Sequence, residues 1–182
     1  LPETGNGDNF NSTMAEVGAV HVIIPGLKLG ASVDAERDAT TNATATGDDV
    51  TNTGSADDED GIVFATPLIP GNNATITVTA MNATSSNAFL QGWIDWDNSG
   101  TLDLGEALTF TNSGIVPQGG VANAPFTFSV PAAAIFNDGM VFARFRLSTT
   151  NGLNADGPAK YGLQAVPQGE VEDYKLNVGK IG

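Results

Sequence analysis

Residues 95 to 106 read Asp-Trp-Asp-Asn-Ser-Gly-Thr-Leu-Asp-Leu-Gly-Glu, a spacing of oxygen donors that suits a hard divalent cation. Asp95, Asp97 and Ser99 stand at positions one, three and five of this loop. Gly100 follows at six, where the chain must turn sharply, and Thr101 at seven offers its backbone carbonyl. Asp103 at nine can bind directly or through water, and Glu106 at twelve can close the shell with both oxygens. Ca²⁺ takes about six to eight oxygen ligands, and one short turn of this composition supplies them. The competing reading is an acidic hairpin turn without metal, which leaves the glycine and the terminal glutamate as coincidences.

The ligand pattern is that of an EF-hand loop, but the flanks are not. Ala88-Phe-Leu-Gln-Gly-Trp-Ile precedes it and Ala107-Leu-Thr-Phe-Thr follows, both rich in aromatic and β-branched residues. Neither flank shows the apolar stripe of a helix, so the loop is expected between two β-strands. Alternation of apolar and polar residues predicts further strands over 18–24, 74–81, 89–96, 125–130, 141–148 and 171–178. Val141, Ala143, Phe145 and Leu147 fall on one face of their strand, with Phe142, Arg144 and Arg146 on the other. Pro131–Asn137 is the one expected helix, about two turns long. Residues 1–17 read as a polar lead-in and 28–61 as mostly loop. Period-two strands punctuated by Gly, Asn and Pro predict an all-β fold, an antiparallel β-sandwich with long calcium-stabilised loops, forming a single domain over 1–182.

Composition narrows the function classes. Of 182 residues, 41% are hydrophobic, enough to build a core without staples. Twenty-one acids oppose seven bases, for a formal net charge of −14. Such a surface repels phosphate backbones and anionic lipid, so nucleic acid is not an expected partner. No apolar run reaches the length of a membrane span, so no membrane insertion is expected. The chain has no cysteine, which excludes thiol catalysis and zinc–thiolate sites. The opening Leu1-Pro-Glu-Thr-Gly5 matches a sortase pattern at the wrong end of a chain; a tag or a native linker, in a fragment of a larger protein, is the expectation. The N-x-S/T sequons at Asn11, Asn42, Asn73 and Asn82 carry no weight in so Thr- and Asn-rich a sequence.

The remaining acids cluster. Asp48 and Asp49 follow Gly47; Asp57, Asp58, Glu59 and Asp60 are consecutive; Glu170, Glu172 and Asp173 lie in Gly-Glu-Val-Glu-Asp-Tyr174. Carboxylates packed this closely repel one another unless solvent, cations or arginine offset the charge. Either these are solvated acidic loops, or distant segments assemble one or two further Ca²⁺ sites. Arg144 and Arg146 fit either bidentate pairing with these acids or contact with a ligand.

Several stretches together carry a family resemblance: His21-Val-Ile, Leu29-Gly-Ala-Ser-Val-Asp34, Gly47-Asp-Asp, Asp57 to Gly61, Gly92-Trp-Ile-Asp-Trp-Asp, Arg144-Phe-Arg-Leu-Ser, and Gly169-Glu-Val-Glu-Asp-Tyr174. The chain resembles a GEVED domain over most of its length. That resemblance implies a module of a large, secreted or surface-attached bacterial protein, with calcium held by the acidic motifs. It also suggests the peptide-binding domains of giant repeat adhesins, calcium-bound β-sandwiches that capture a partner's free C-terminus. Family members usually have an acidic Asp-Phe/Tyr-Gly-Asp segment ahead of the position of Leu1, where this sequence begins.

An enzyme is not expected. His21 is the sole histidine and lies in an apolar segment, where a satisfied core residue is the simpler reading. Trp93 and Trp96 flank the calcium loop on opposite strand faces, for core packing or for stacking on sugar or peptide. The expected function is a calcium-dependent, monomeric ligand-binding module of an extracellular adhesin, taking a protein C-terminal peptide or a cell-surface glycan. The alternatives are a calcium-rigidified spacer or a carbohydrate-binding domain.

Overall fold

A computed structural model describes Phe10 and residues 18–33, 60–136, 139–156 and 167–178. Two antiparallel sheets pack face to face as a β-sandwich. The first contains β1 (Leu27–Leu29), β2 (Ile62–Phe64), β3 (Asn73–Asn82) and β6 (Val121–Ser129). The second contains β4 (Ala88–Ile94), β5 (Ile115–Val116), β7 (Met140–Ser148) and β8 (Gly169–Asn177), in the order β5-β4-β7-β8. Among the described residues no helix is long and apolar enough to cross a membrane.

Period-two alternation sets the layers. On β3, Ala74, Ile76, Val78 and Ala80 are buried while Thr75, Thr77 and Thr79 face outward. Facing them, β4 contributes Leu90 and Ile94, and β7 contributes Val141, Ala143, Phe145 and Leu147. Aromatic rings lock the two sheets edge to face. Phe110 meets Phe126 and Phe128 at centroid distances of 5.5 and 5.9 Å, and Phe64 meets Phe145 at 6.0 Å. Such pairs add about 0.5–1.5 kcal/mol each beyond their buried area.

The five strands expected between 74 and 178 are present, with β6 starting earlier than its alternation suggested. Other expectations need correction. The strand expected over 18–24 reduces to one parallel bridge, Val22 to Gln168, because Pro25-Gly26 turns the chain into β1. β1 and β2 lie at the margins of the 28–61 segment read as loop, too short for alternation to reveal. The expected helix at Pro131–Asn137 is a turn as far as it is described, to Phe136. The Ile135 N–H donates to Trp96 O at 2.6 Å, and Phe136 packs on Trp96, so tertiary contacts claim this segment.

Candidate metal site

β4 ends at Ile94, and the ladder with β7 persists one residue further through Asp95 N–H donating to Phe142 O at 3.0 Å. That bond delivers Asp95 to the sheet's end in a buried position. The chain then turns through Asn98 and Gly100, both at positive φ (56° and 78°), which at Gly100 carries no Cβ penalty. A 3-10 turn at Leu104–Glu106 brings Glu106 back beneath the loop. The result gathers carboxylate oxygens of Asp95, Asp97 and Glu106 within 4.8 Å of one another. Asp95 and Glu106 are buried, and Asp97 is exposed. Among the described residues no other acidic, His or Cys triplet meets this criterion.

Hydrogen bonds fix the carboxylates. Asp95 accepts Ser99 N–H (2.9 Å) and Gly100 N–H (3.1 Å), one on each oxygen. Asp97 accepts the same Ser99 N–H at 3.0 Å. Glu106 accepts Trp96 N–H on Oε1 at 2.7 Å and Asp103 N–H on Oε2 at 2.8 Å. The Ser99 and Thr101 hydroxyls bond each other at 2.9 Å. Asp103 starts the 3-10 turn and stands outside the carboxylate triplet. Of the expected loop residues, Asp95, Asp97 and Glu106 converge, while Ser99, Thr101 and Asp103 stand outside the carboxylate triplet.

The electrostatics favour a cation. Burial pushes Glu106 up to about 7, reinforced by the negative charges of Asp95 and Asp97 and opposed by the N–H groups of Asp103 and Trp96. Burial likewise raises Asp95, with Asp97 adding to the effect against the Gly100 and Ser99 N–H groups. Two buried carboxylates that resist ionisation side by side are stabilised as anions by a divalent ion between them. The three converging groups are carboxylates, hard oxygen donors that suit a hard cation better than a softer metal.

The other acids behave differently. β8 pairs Glu170 with Leu147, Glu172 with Phe145 and Asp173 with Arg144. Glu170 and Glu172 consequently point between the sheets, while Asp173 points to the outer face. The buried Glu170 accepts Leu29 N–H, and Glu172 accepts Gly61 N–H at 3.1 Å and Tyr174 O–H at 2.9 Å. Asp60 is exposed and accepts Ala31 N–H at 3.0 Å. Asp48, Asp49, Asp57, Asp58 and Glu59 lie outside the described residues.

Both arginines are buried on the outer face of the second sheet. Arg144 holds Asp173 bidentately, Nε to Oδ1 at 2.7 Å and Nη2 to Oδ2 at 2.8 Å, and its Nη1 donates to the carbonyls of Phe10 and Ala155. Its charge holds Asp173 below the usual carboxylate range against the effect of burial. Arg146 donates to His21 Nε2 at 2.8 Å and to carbonyls of Asn154, Asp156 and Val20. Both guanidiniums thus tie the 153–156 loop and the segment before β1 onto the sheet. Trp93 packs there with Leu153 and Ala155, while Trp96 enters the main core beside Phe128. Leu102, at loop position eight, touches both outer-face clusters, the one around Trp93 and the one around Phe10 and Phe142. Sequence reasoning missed that link; Leu102 is one of two leucines in the loop, and nothing in the sequence sets it apart from Leu104.

No curated protein and no solved structure matches this chain. Residues 89–177 match the family model described as the GEVED domain. The matched span runs from β4 through β8 and includes both the Asp95–Glu106 loop and the motif on β8. This chain carries a GEVED domain.

Proposed function

We propose that this chain is a calcium-dependent ligand-binding module of a large bacterial surface adhesin, acting outside the cell and without catalysis. The observation that carries the reading is the convergence of Asp95, Asp97 and Glu106 within 4.8 Å on a loop anchored to the sandwich. Asp95, Asp97 and Glu106 would hold the ion, with Ser99, Thr101 and Asp103 on the rim. A bound Ca²⁺ supplies positive charge and exchangeable oxygen coordination. Asp97, Asn98 and Ser99 are exposed, so a ligand carboxylate or sugar diol would approach from their side. The resemblance to adhesin peptide-binding domains makes a protein's free C-terminus the first ligand class, and a cell-surface glycan the second. The buried arginines are held by Asp173, His21 and backbone carbonyls, which argues against their direct contact with a ligand.

The test is binding to arrays of peptides with free or amidated C-termini, and of glycans, with Ca²⁺ and with EDTA. Hits on free C-termini that disappear with EDTA are expected. Binding that survives complete calcium removal rejects the reading.

One observation favours a second reading, a calcium-rigidified spacer. Glu170, Glu172, Asp173, Arg144 and Arg146 all serve internal bonds. A spacer gains melting temperature with calcium and gives no array hits.

A further inference from the structure

The pairing of β3 along one edge is unusual. Its register with β1 sets Leu27 opposite Asn82 and Leu29 opposite Ala80. Its register with β2 sets Ile62 opposite Val78 and Phe64 opposite Ile76. β6 takes the other edge, because Val78 also faces Ala124 and Ala80 also faces Val121. β1 and β2 therefore run end to end in one direction along a single edge. Thr79 lies between them. Its carbonyl accepts Gly30 N–H at 2.9 Å, and its own N–H donates to Gly61 O at 2.9 Å. In an antiparallel ladder one residue makes both of those bonds. Here Gly30 supplies the donor and Gly61 the acceptor, although thirty residues separate them in sequence.

Two glycines meet at this point for a steric reason. A Cβ on Gly61 would lie 2.8 Å from Gly30 N and 2.5 Å from Leu29 Cβ, and one on Gly30 would lie 1.4 Å from Asp60 Oδ1. Gly30 also has φ +54°, a conformation that L side chains rarely adopt. Asp60 accepts Ala31 N–H across the gap.

Among the described residues, the outward N–H groups of this composite strand face no neighbour in their own sheet. β8 of the opposite sheet covers them with side chains. Glu170 accepts Leu29 N–H, Glu172 accepts Gly61 N–H, and Tyr174 Oη accepts Ile62 N–H at 3.1 Å while donating to Glu172. A bare strand edge is otherwise an invitation to pair with another chain.

We infer that β1 and β2 are one edge strand interrupted between Gly30 and Gly61, and that Glu170 and Glu172 are the clasp holding the two ends of the interruption together. The glutamates of the β8 motif then serve as hydrogen-bond acceptors for backbone. The inference is independent of whether the Asp95–Glu106 loop takes a cation.

Removal of residues 31–61 should leave Leu29-Gly30-Ile62 as an uninterrupted strand. The shortened chain should unfold cooperatively and keep the Leu29–Ala80 and Ile62–Val78 cross-strand contacts by NMR. A control keeps the length but replaces 34–59 with Gly/Ser. If the control folds and the excised chain does not, or if neither folds, the single-strand inference is overturned. In the full chain, amide exchange at Leu29 and Gly61 reads the clasp. Glu170→Ala and Glu172→Ala should each speed exchange at the matching amide at least tenfold, whereas Glu170→Gln and Glu172→Gln, which keep an acceptor oxygen, should change it less than threefold. Unchanged exchange in the alanine variants overturns the clasp.

Discussion

Arg144 and Asp173 face each other across β7 and β8 as a two-bond pair, at 2.7 and 2.8 Å, with the guanidinium almost wholly buried. Removing the carboxylate would leave a buried cation without its counter-ion, the costly way to break such a pair. Asp173→Ala should therefore lose about 3 kcal/mol in urea unfolding, in line with single-partner deletions of buried pairs. The number of bound calcium ions should not change. A lower count in that variant would place Asp173 among the ion ligands.

The Glu106 carboxyl gives a pH signature. Its folded value of about 7 lies above its ordinary 4.5, so the metal-free fold prefers the protonated form. A raised value means that this stability is complete below about pH 4.5 and is lost as pH climbs through 7. Without metal, the wild type should lose stability relative to Glu106→Gln across that window. Calcium should reverse the trend, since ion binding needs the anion and releases the proton. Thermal melts at pH 5 and pH 7.5, with and without calcium, check both signs. A parallel pH profile for the two proteins would remove Glu106 as the titrating group.

Leu102 supplies a mechanical test. It is an apolar residue of the loop that packs on both clusters of the outer face. Leu102→Ala should cost about 2 kcal/mol, the low end for truncating a buried leucine, because the site is only partly buried. Calcium affinity should fall less than tenfold, since Leu102 contributes no ligand oxygen. Tryptophan emission should shift red as the Trp93 cluster admits water. An unshifted spectrum with unchanged stability would show that the loop and the outer face are uncoupled.

The legible parts of this chain were those governed by short-range rules. Thr-Ile-Thr-Val-Thr-Ala on β3 alternates over enough residues to fix both the strand and its buried face. The Asp95–Glu106 loop is contiguous, so the sequence spacing of Asp95, Asp97 and Glu106 became proximity in space. The motif on β8 was legible as chemistry but not as geometry. Adjacent carboxylates look like one cluster, yet strand alternation sends Glu170 and Glu172 inward and Asp173 outward. β1 and β2 were illegible because three residues carry no period, and because their partnership depends on a shared contact with Thr79. Pro131–Asn137 looked helical because alanine has high propensity, which a backbone bond to Trp96 and the packing of Phe136 override.

His21 and Arg146 make the last prediction. Arg146 donates its Nε–H to the imidazole, which must be neutral to accept it. Burial first, and the Arg146 charge second, lower His21 to about 3; the Pro167 and Gln168 backbone opposes this weakly, and Nδ1 makes no hydrogen bond of good geometry. A lowered value means that the pair's stability is complete above the ordinary 6.5 and is lost as pH falls toward 3. His21→Gln keeps an acceptor for Arg146 without titrating. At pH 7 the wild type should be the more stable of the two, and the gap should shrink steadily as pH falls to 4. Arg146→Lys should cost about 3 kcal/mol at either pH, because one ammonium cannot reach His21, Asn154, Asp156 and Val20 together. Urea unfolding of the three proteins at pH 7 and pH 4 decides it, and a pH-independent gap between wild type and His21→Gln would show that the imidazole does not titrate against the fold.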